Sequence, residues 1–186
     1  MTLFRKKYRV ESIRRPNWNY AAPGYYFITI CTQERRPYFG TISDGVVRLS
    51  AIGKIAGSQW KNIPNHYDNV AIDEFVIMPN HLHGIVQISG PEWEPKISLH
   101  RKKTLQESLP KTGSIPHIMR CYKAGVTYWC KQNELKFGWQ SGFHDRIIRG
   151  PDSLTAVREY IQENPFNWDK DEQNPEMKKG EPLLPQ

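Results

Sequence analysis

The chain turns back on itself at Pro79-Asn80, between two runs rich in β-branched and aromatic residues, Val70 to Met78 and His81 to Ile88. Both runs read as strands. A connection this short cannot hold the dozen or more residues that cross between parallel neighbours, so the two strands pair antiparallel. Further strands and helices interleave with this pair. Tyr25 to Thr32, after Pro23-Gly24, reads as a central strand, and Asp44-Gly45 links Thr41–Ser43 to Val46–Leu49 as a short hairpin. From Ser50, a plausible N-cap, apolar residues at Ile52, Ile55, Ala56, Trp60 and Ile63 mark a one-striped helix stopped by Pro64. A second helix is expected from Ser114, with Ile115, Ile118, Met119, Tyr122 and Val126 on one face, and a last strand over 143–148. A third helix opens at Asp152 and ends near Asn164, because Pro165 disfavours helical geometry in the residue before it. The expected fold is therefore α+β, an antiparallel sheet with helices packed on one face and the other face open to chemistry.

The length, 186 residues with 38% apolar and 24% charged, suits one domain burying roughly two-thirds of its unfolded surface. We expect a basic arm over 1–20, one domain over 21–168 and a loose, acidic tail over 169–186, with the long loop 89–113 either functional or disordered. No apolar run approaches the about 18 residues of a membrane span, and the basic N-terminus lacks the apolar stretch of a secretory signal. The expectation is a cytoplasmic protein without a membrane partner. Cys31, Cys121 and Cys130 are odd in number and not in zinc-like spacing, which argues for packing residues rather than a disulfide framework.

The formal charge of +7 is unevenly placed. Residues 1–20 carry six basic side chains against one acidic, and residues 96–149 carry eleven against three. Such a distribution fits a polyanion binder, an acidic membrane surface or a merely solvated exterior. A more specific signal is His81-Leu82-His83. Alternate strand residues point the same way, so the two imidazoles share a face and form either half of a divalent-metal site or two partly exposed sheet histidines. Tyr160 and Asn164, four apart on the third helix, also share a face. An amide carbonyl suits hard cations such as Mg2+ or Mn2+, and a phenol beside a metal-polarised phosphate can attack phosphorus; equally, Tyr160 suits the edge of a core.

The segment Phe75-Val76-Ile77-Met78-Pro79-Asn80-His81-Leu82-His83-Gly84-Ile85-Val86 resembles the His-hydrophobic-His block of the REP-associated tyrosine transposases, relatives of the small single-tyrosine insertion-sequence transposases. Phe143–Arg149 followed by Tyr160–Pro165 is similar to the second block of that family, and Tyr25–Phe39 to its first strand. The match spans roughly residues 20–168. The resemblance implies a ferredoxin-like or RRM-like sheet, a divalent metal (Mg or Mn) on His81 and His83, Tyr160 as nucleophile and Asn164 as third ligand, where the wider insertion-sequence group usually has glutamine. It also implies cleavage and rejoining of hairpin-bearing single-stranded DNA through a covalent 5′-phosphotyrosine and a free 3′-hydroxyl, by a monomer or homodimer and with no small-molecule substrate. Lys123, Arg146 and Arg149 are candidate DNA-backbone contacts, Arg101, Lys102 and Lys103 could clamp a stem, and His144 could contact phosphate or take the phenolic proton. Each of these could equally be solvated. The alternative is a host-adopted hairpin-binding protein of the same fold without productive transposition. A metal-independent phosphodiesterase would need a second His-x-Ser/Thr or His-x-His string, which is absent.

Overall fold

A computed structural model describes residues 18–90, 112–171, 173 and 174, together with the backbone of a two-residue strand pair, β1 (Leu3–Phe4) and β2 (Tyr8–Arg9). The loop over 91–111, with the cluster Arg101, Lys102 and Lys103, lies outside the described residues, as does most of the basic arm. The principal sheet has four antiparallel strands in the order β6-β7-β3-β8, where β3 is Gly24–Cys31, β6 Val70–Ile77, β7 His81–Ile88 and β8 His144–Ile148. Helix α1 (Ala51–Lys61) connects β3 to β6, which run parallel with β7 between them, and α2 (Ile115–Gln132) connects β7 to β8. This is the ferredoxin-like split-βαβ plan that the family resemblance implies, with the antiparallel pair that the short Pro79-Asn80 connection requires.

Local chemistry explains the element ends. Ser50 caps α1 by accepting from the Gly53 amide at 3.1 Å, while its own hydroxyl donates to the Tyr38 carbonyl. The hairpin β4 (Gly40–Ser43) and β5 (Val46–Leu49) turns on Asp44 and Gly45, both left-handed at φ 52° and 70°, the geometry a two-residue hairpin demands. Helix α3 (Pro151–Glu163) ends at Asn164, before Pro165, although Asn164 itself keeps helical geometry at φ −55° and ψ −41° rather than the extended geometry expected before a proline.

Two cores separate across the sheet. Tyr26, Ile28, Ile30, Leu82 and Val86 pack with Trp60 of α1 and with Ile118, Met119 and Tyr122 of α2. Gly84 is needed there, because a Cβ at that position would sit 2.6 Å from the Trp60 ring. Helix α3 does not join this layer. It lies on the opposite face, where Ile161 packs with Ile85 and Ile148, flanked by Leu154 and Val157. The helical layer on one face thus comprises α1 and α2, and the face expected to be open carries α3.

The tail also departs from expectation. Trp168–Lys170 forms a turn of 3-10 helix, and the Asn80 amide holds the Gln173 carbonyl at 2.7 Å. Buried Asn174 donates to the Trp168 carbonyl, so the chain stays on the domain as far as residue 174, by polar anchoring that no apolar pattern announces. Of the cysteines, Cys130 is buried in the larger core, Cys31 is buried with its thiol donating to Gln173 Oε1 at 3.5 Å, and Cys121 is exposed on α2 beside His117. No helix among the described residues is long and apolar enough to cross a membrane.

Candidate active site

Strand parity puts His81, His83 and Ile85 of β7 on the α3 side of the sheet, together with Tyr25, Phe27 and Thr29 of β3. Both histidines are buried rather than partly exposed, and their ring centroids lie 4.5 Å apart. Each ring is fixed by its own partner. Asn80 uses its amide nitrogen on the carbonyls of Arg35 and Gln173, so its Oδ1 must accept, and His81 Nδ1–H donates to it at 2.8 Å. The lone pair of His81 therefore sits on Nε2. Thr29, directly opposite His83 in the β3–β7 register, meets its Nδ1 at 2.8 Å. These second partners orient imidazoles as the outer hydrogen bonds of metal-binding histidines do.

Helix α3 brings Tyr160 and Asn164 to this pair. The Tyr160 hydroxyl lies 3.3 Å from His83 Nε2, with the phenol edge-on to Phe27, which stacks on His83. Tyr160 as a residue remains 48% exposed. It borders a cleft of about 580 Å³ that is also lined by Phe27, Thr29, His83, His144 and Asn164.

Asp171 completes the cluster. Its Oδ2 lies 3.7 Å from His81 Nε2, and the ligand atoms of His81, His83 and Asp171 all fall within 4.8 Å of one another. His81 Nε2 and Asn164 Oδ1 are buried without a hydrogen-bond partner. Two orphaned acceptors beside a carboxylate and a second imidazole make a donor set that fits a divalent cation. Sequence reasoning missed Asp171 because it lies past Pro165, outside any periodic run. Lys170, Asn167 and Gln173, which also line the cleft, were missed for the same reason.

The cationic residues divide. His144 and Arg146 alternate on β8 toward the site face and are exposed, and Arg149 is exposed just beyond the strand. Lys123 is placed elsewhere: from α2 its Nζ donates to the carbonyls of Gln140 and Gly142 and sits over the Trp139 ring, bracing the loop that leads into β8.

Burial holds both histidines neutral. The His83 ring is pushed down to about 4 by desolvation. His81 is also held well below the ordinary histidine range, by burial and then by His83, while the neighbouring Asn164 side chain pulls the other way. An unfolded histidine titrates near 6.5. Between these values the unfolded chain binds a proton that the folded chain refuses, so stability is full above about pH 7 and falls as pH drops toward 4. His83 alone accounts for a loss on the order of 3 kcal/mol over that window, with His81 acting in the same direction. Melting of the metal-free protein between pH 7.5 and 4.5 should show this decline. A flat melting temperature across the window would contradict neutral, buried imidazoles.

No family model matches the chain. A protein of Haemophilus influenzae, itself uncharacterized, is 40% identical over 167 residues, covering 87% of this chain and 91% of its own length. The solved structure of a REP-associated tyrosine transposase bound to a REP hairpin superposes with a TM-score of 0.57 at 19% identity, over 86% of this chain and 74% of its own. The chain therefore belongs to the family of the Haemophilus influenzae protein, built on the fold of the REP-associated tyrosine transposase.

Proposed function

We propose that this protein cuts and rejoins single-stranded DNA beside hairpins, with Tyr160 as the covalent nucleophile. The observation that carries the reading is the hydroxyl of half-exposed Tyr160, 3.3 Å from His83 and beside a set of cation donors whose two histidines are buried. The donors that would hold the cation, Mg2+ or Mn2+, are His81 and His83 with Asn164 and Asp171. When bound, such an ion supplies Lewis acidity at a phosphate oxygen.

The residues of the chain do the rest. Tyr160 Oη attacks phosphorus, forming an O–P bond while the bond from phosphorus to the 3′ oxygen breaks. The proton lost by the phenol is matched by the one gained at the 3′ oxygen, leaving a 5′-phosphotyrosine and a free 3′-hydroxyl. Attack by a 3′-hydroxyl on the phosphotyrosine reverses the step and rejoins the strand, with the energy of the cleaved bond retained. Thr29 and Asn80 hold the imidazoles in place, and Phe27 supports the phenol from the side. His144, Arg146 and Arg149 offer donors and charge where a backbone would run along β8. The transposase at TM-score 0.57 is bound to a REP hairpin, which supports hairpin DNA as the partner class.

The test is incubation with oligonucleotides that carry a hairpin and a single-stranded flank, in Mg2+ or Mn2+, with a denaturing gel to detect a protein–DNA adduct. In-line attack needs a flexible strand, so a flanked hairpin should bind more tightly than a blunt duplex of equal length. Neutralising Arg101, Lys102 and Lys103 together should weaken that binding and reduce its salt dependence by up to about three phosphate contacts. Equal affinity for the two DNAs at near-physiological salt would point to a nonspecific polyanion surface. Tight hairpin binding without any adduct would favour a binding protein of the same fold.

A further inference from the structure

Strand β6 contains one residue more than its partner. Ile72 faces Val86 and Phe75 faces Gly84, so Asp73 and Glu74 together oppose the single residue Ile85. Such a bulge breaks the alternation of a strand and lets two successive side chains be redirected. Here both reach α3. Asp73 takes the Arg158 guanidinium in a fork, at 2.8 Å to Nε and 2.5 Å to Nη2, and Glu74 accepts from Gln162 at 3.2 Å.

The helix periodicity gives these contacts a direction. Leu154, Val157 and Ile161 form the stripe that faces the sheet. Tyr160 and Asn164 lie on one flank of that stripe, and Arg158 and Gln162, four residues apart, lie on the other. The apolar stripe fixes how deeply α3 sits, but smooth side chains resist rotation about the helix axis poorly. The bulge acids hold the far flank at two points one turn apart. A roll of about 10° would carry a tyrosine hydroxyl through more than about 1 Å, enough to lose its place beside His83.

We propose that Asp73 and Glu74 are positioning residues that set the roll of α3 and thereby hold the Tyr160 hydroxyl over the histidine pair. The proposal rests on the reading of Tyr160 as nucleophile, and its test separates the two. In the full chain, Asp73→Asn and Arg158→Gln should each slow adduct formation on the flanked hairpin by about a hundredfold while leaving the affinity for that DNA unchanged. Arg158→Lys, which keeps the charge and loses the fork, should fall between wild type and Arg158→Gln. The double variant should be no slower than either single one, because the two side chains act as one contact.

The second measurement needs no cleavage. In the metal-free protein, where His83 Nε2 is open to the phenol, the ring-nitrogen NMR signals of His83 should shift in Asp73→Asn in the same direction as in Tyr160→Phe, since both take the hydroxyl away from Nε2. Unchanged His83 signals in Asp73→Asn would overturn the proposal whether or not the protein cuts DNA. So would an adduct rate equal to that of wild type, or a loss of rate matched by equal losses of DNA affinity and melting temperature. An adduct that persists in Tyr160→Phe would instead reject the nucleophile, and the His83 signals would still judge the positioning.

Discussion

Tyr160→Phe is expected to abolish both strand cleavage and the covalent adduct, a loss of at least about a thousandfold, while hairpin binding stays within about twofold of wild type. The substitution removes one oxygen. The ring that meets Phe27 edge-on at 6.0 Å remains, so the packing under α3 is preserved and a folding defect cannot account for the result. The same oxygen contacts His83, which lines the cleft. Mass spectrometry of the trapped wild-type adduct should place the nucleotide on Tyr160. Attachment to Tyr122 or Tyr128 would end the assignment, and the structure makes the former improbable on physical grounds, since Tyr122 is buried in the opposite core.

Removing the cation donors should have an effect of similar size. His81→Ala or His83→Ala is expected to lower cleavage by about a hundredfold or more, and excess EDTA should silence the wild-type protein. Asn164→Ala should weaken metal affinity less than either histidine change, because a neutral amide oxygen is a weaker donor than an imidazole. Undiminished cleavage in EDTA would reject a metal site altogether. Calorimetry with Mn2+ gives an independent reading, since the His81→Ala protein should lose most of the binding heat even if no DNA is present.

Much of the fold could be read from residue spacing. The helices α1 and α2 have stripes of buried residues that match their apolar period, among them Trp60, Ile118 and Val126, and β7 was recognisable from its turn at Pro79-Asn80. Strand parity puts His81 and His83 on one face, and the i to i+4 spacing puts Tyr160 and Asn164 on another; that the two pairs meet rests on the family resemblance and is not legible in spacing. Other features depend on long-range register, which one-dimensional spacing does not encode. The β6 bulge exists only relative to β7, so spacing along the chain assigns Asp73 and Glu74 no contact. The side of the sheet chosen by α3 depends on how β8 pairs with β3. Asp171 reaches the site through anchors made by Asn80 and Trp168, neither of which forms a pattern with it. Lys123 reads from the sequence as a candidate DNA-backbone contact, and only the fold of the 139–142 loop shows that its ammonium donates to the carbonyls of Gln140 and Gly142.

The separation of the two cores has a consequence for how such a protein can change over time. Among the described residues, twenty buried side chains make up the core under α1 and α2, while the one under α3 has only Ile85, Ile148 and Ile161. Folding of the scaffold and docking of the helix that carries Tyr160 therefore draw on different residues, divided by the sheet itself. Substitutions in the large core alter whether the chain folds, whereas substitutions around Ile161 or the β6 bulge alter how the helix is presented on a scaffold that stays intact. Changes in how that helix is presented can thus accumulate without changes in the scaffold beneath it, a separation of traits that lets selection act on one at a time.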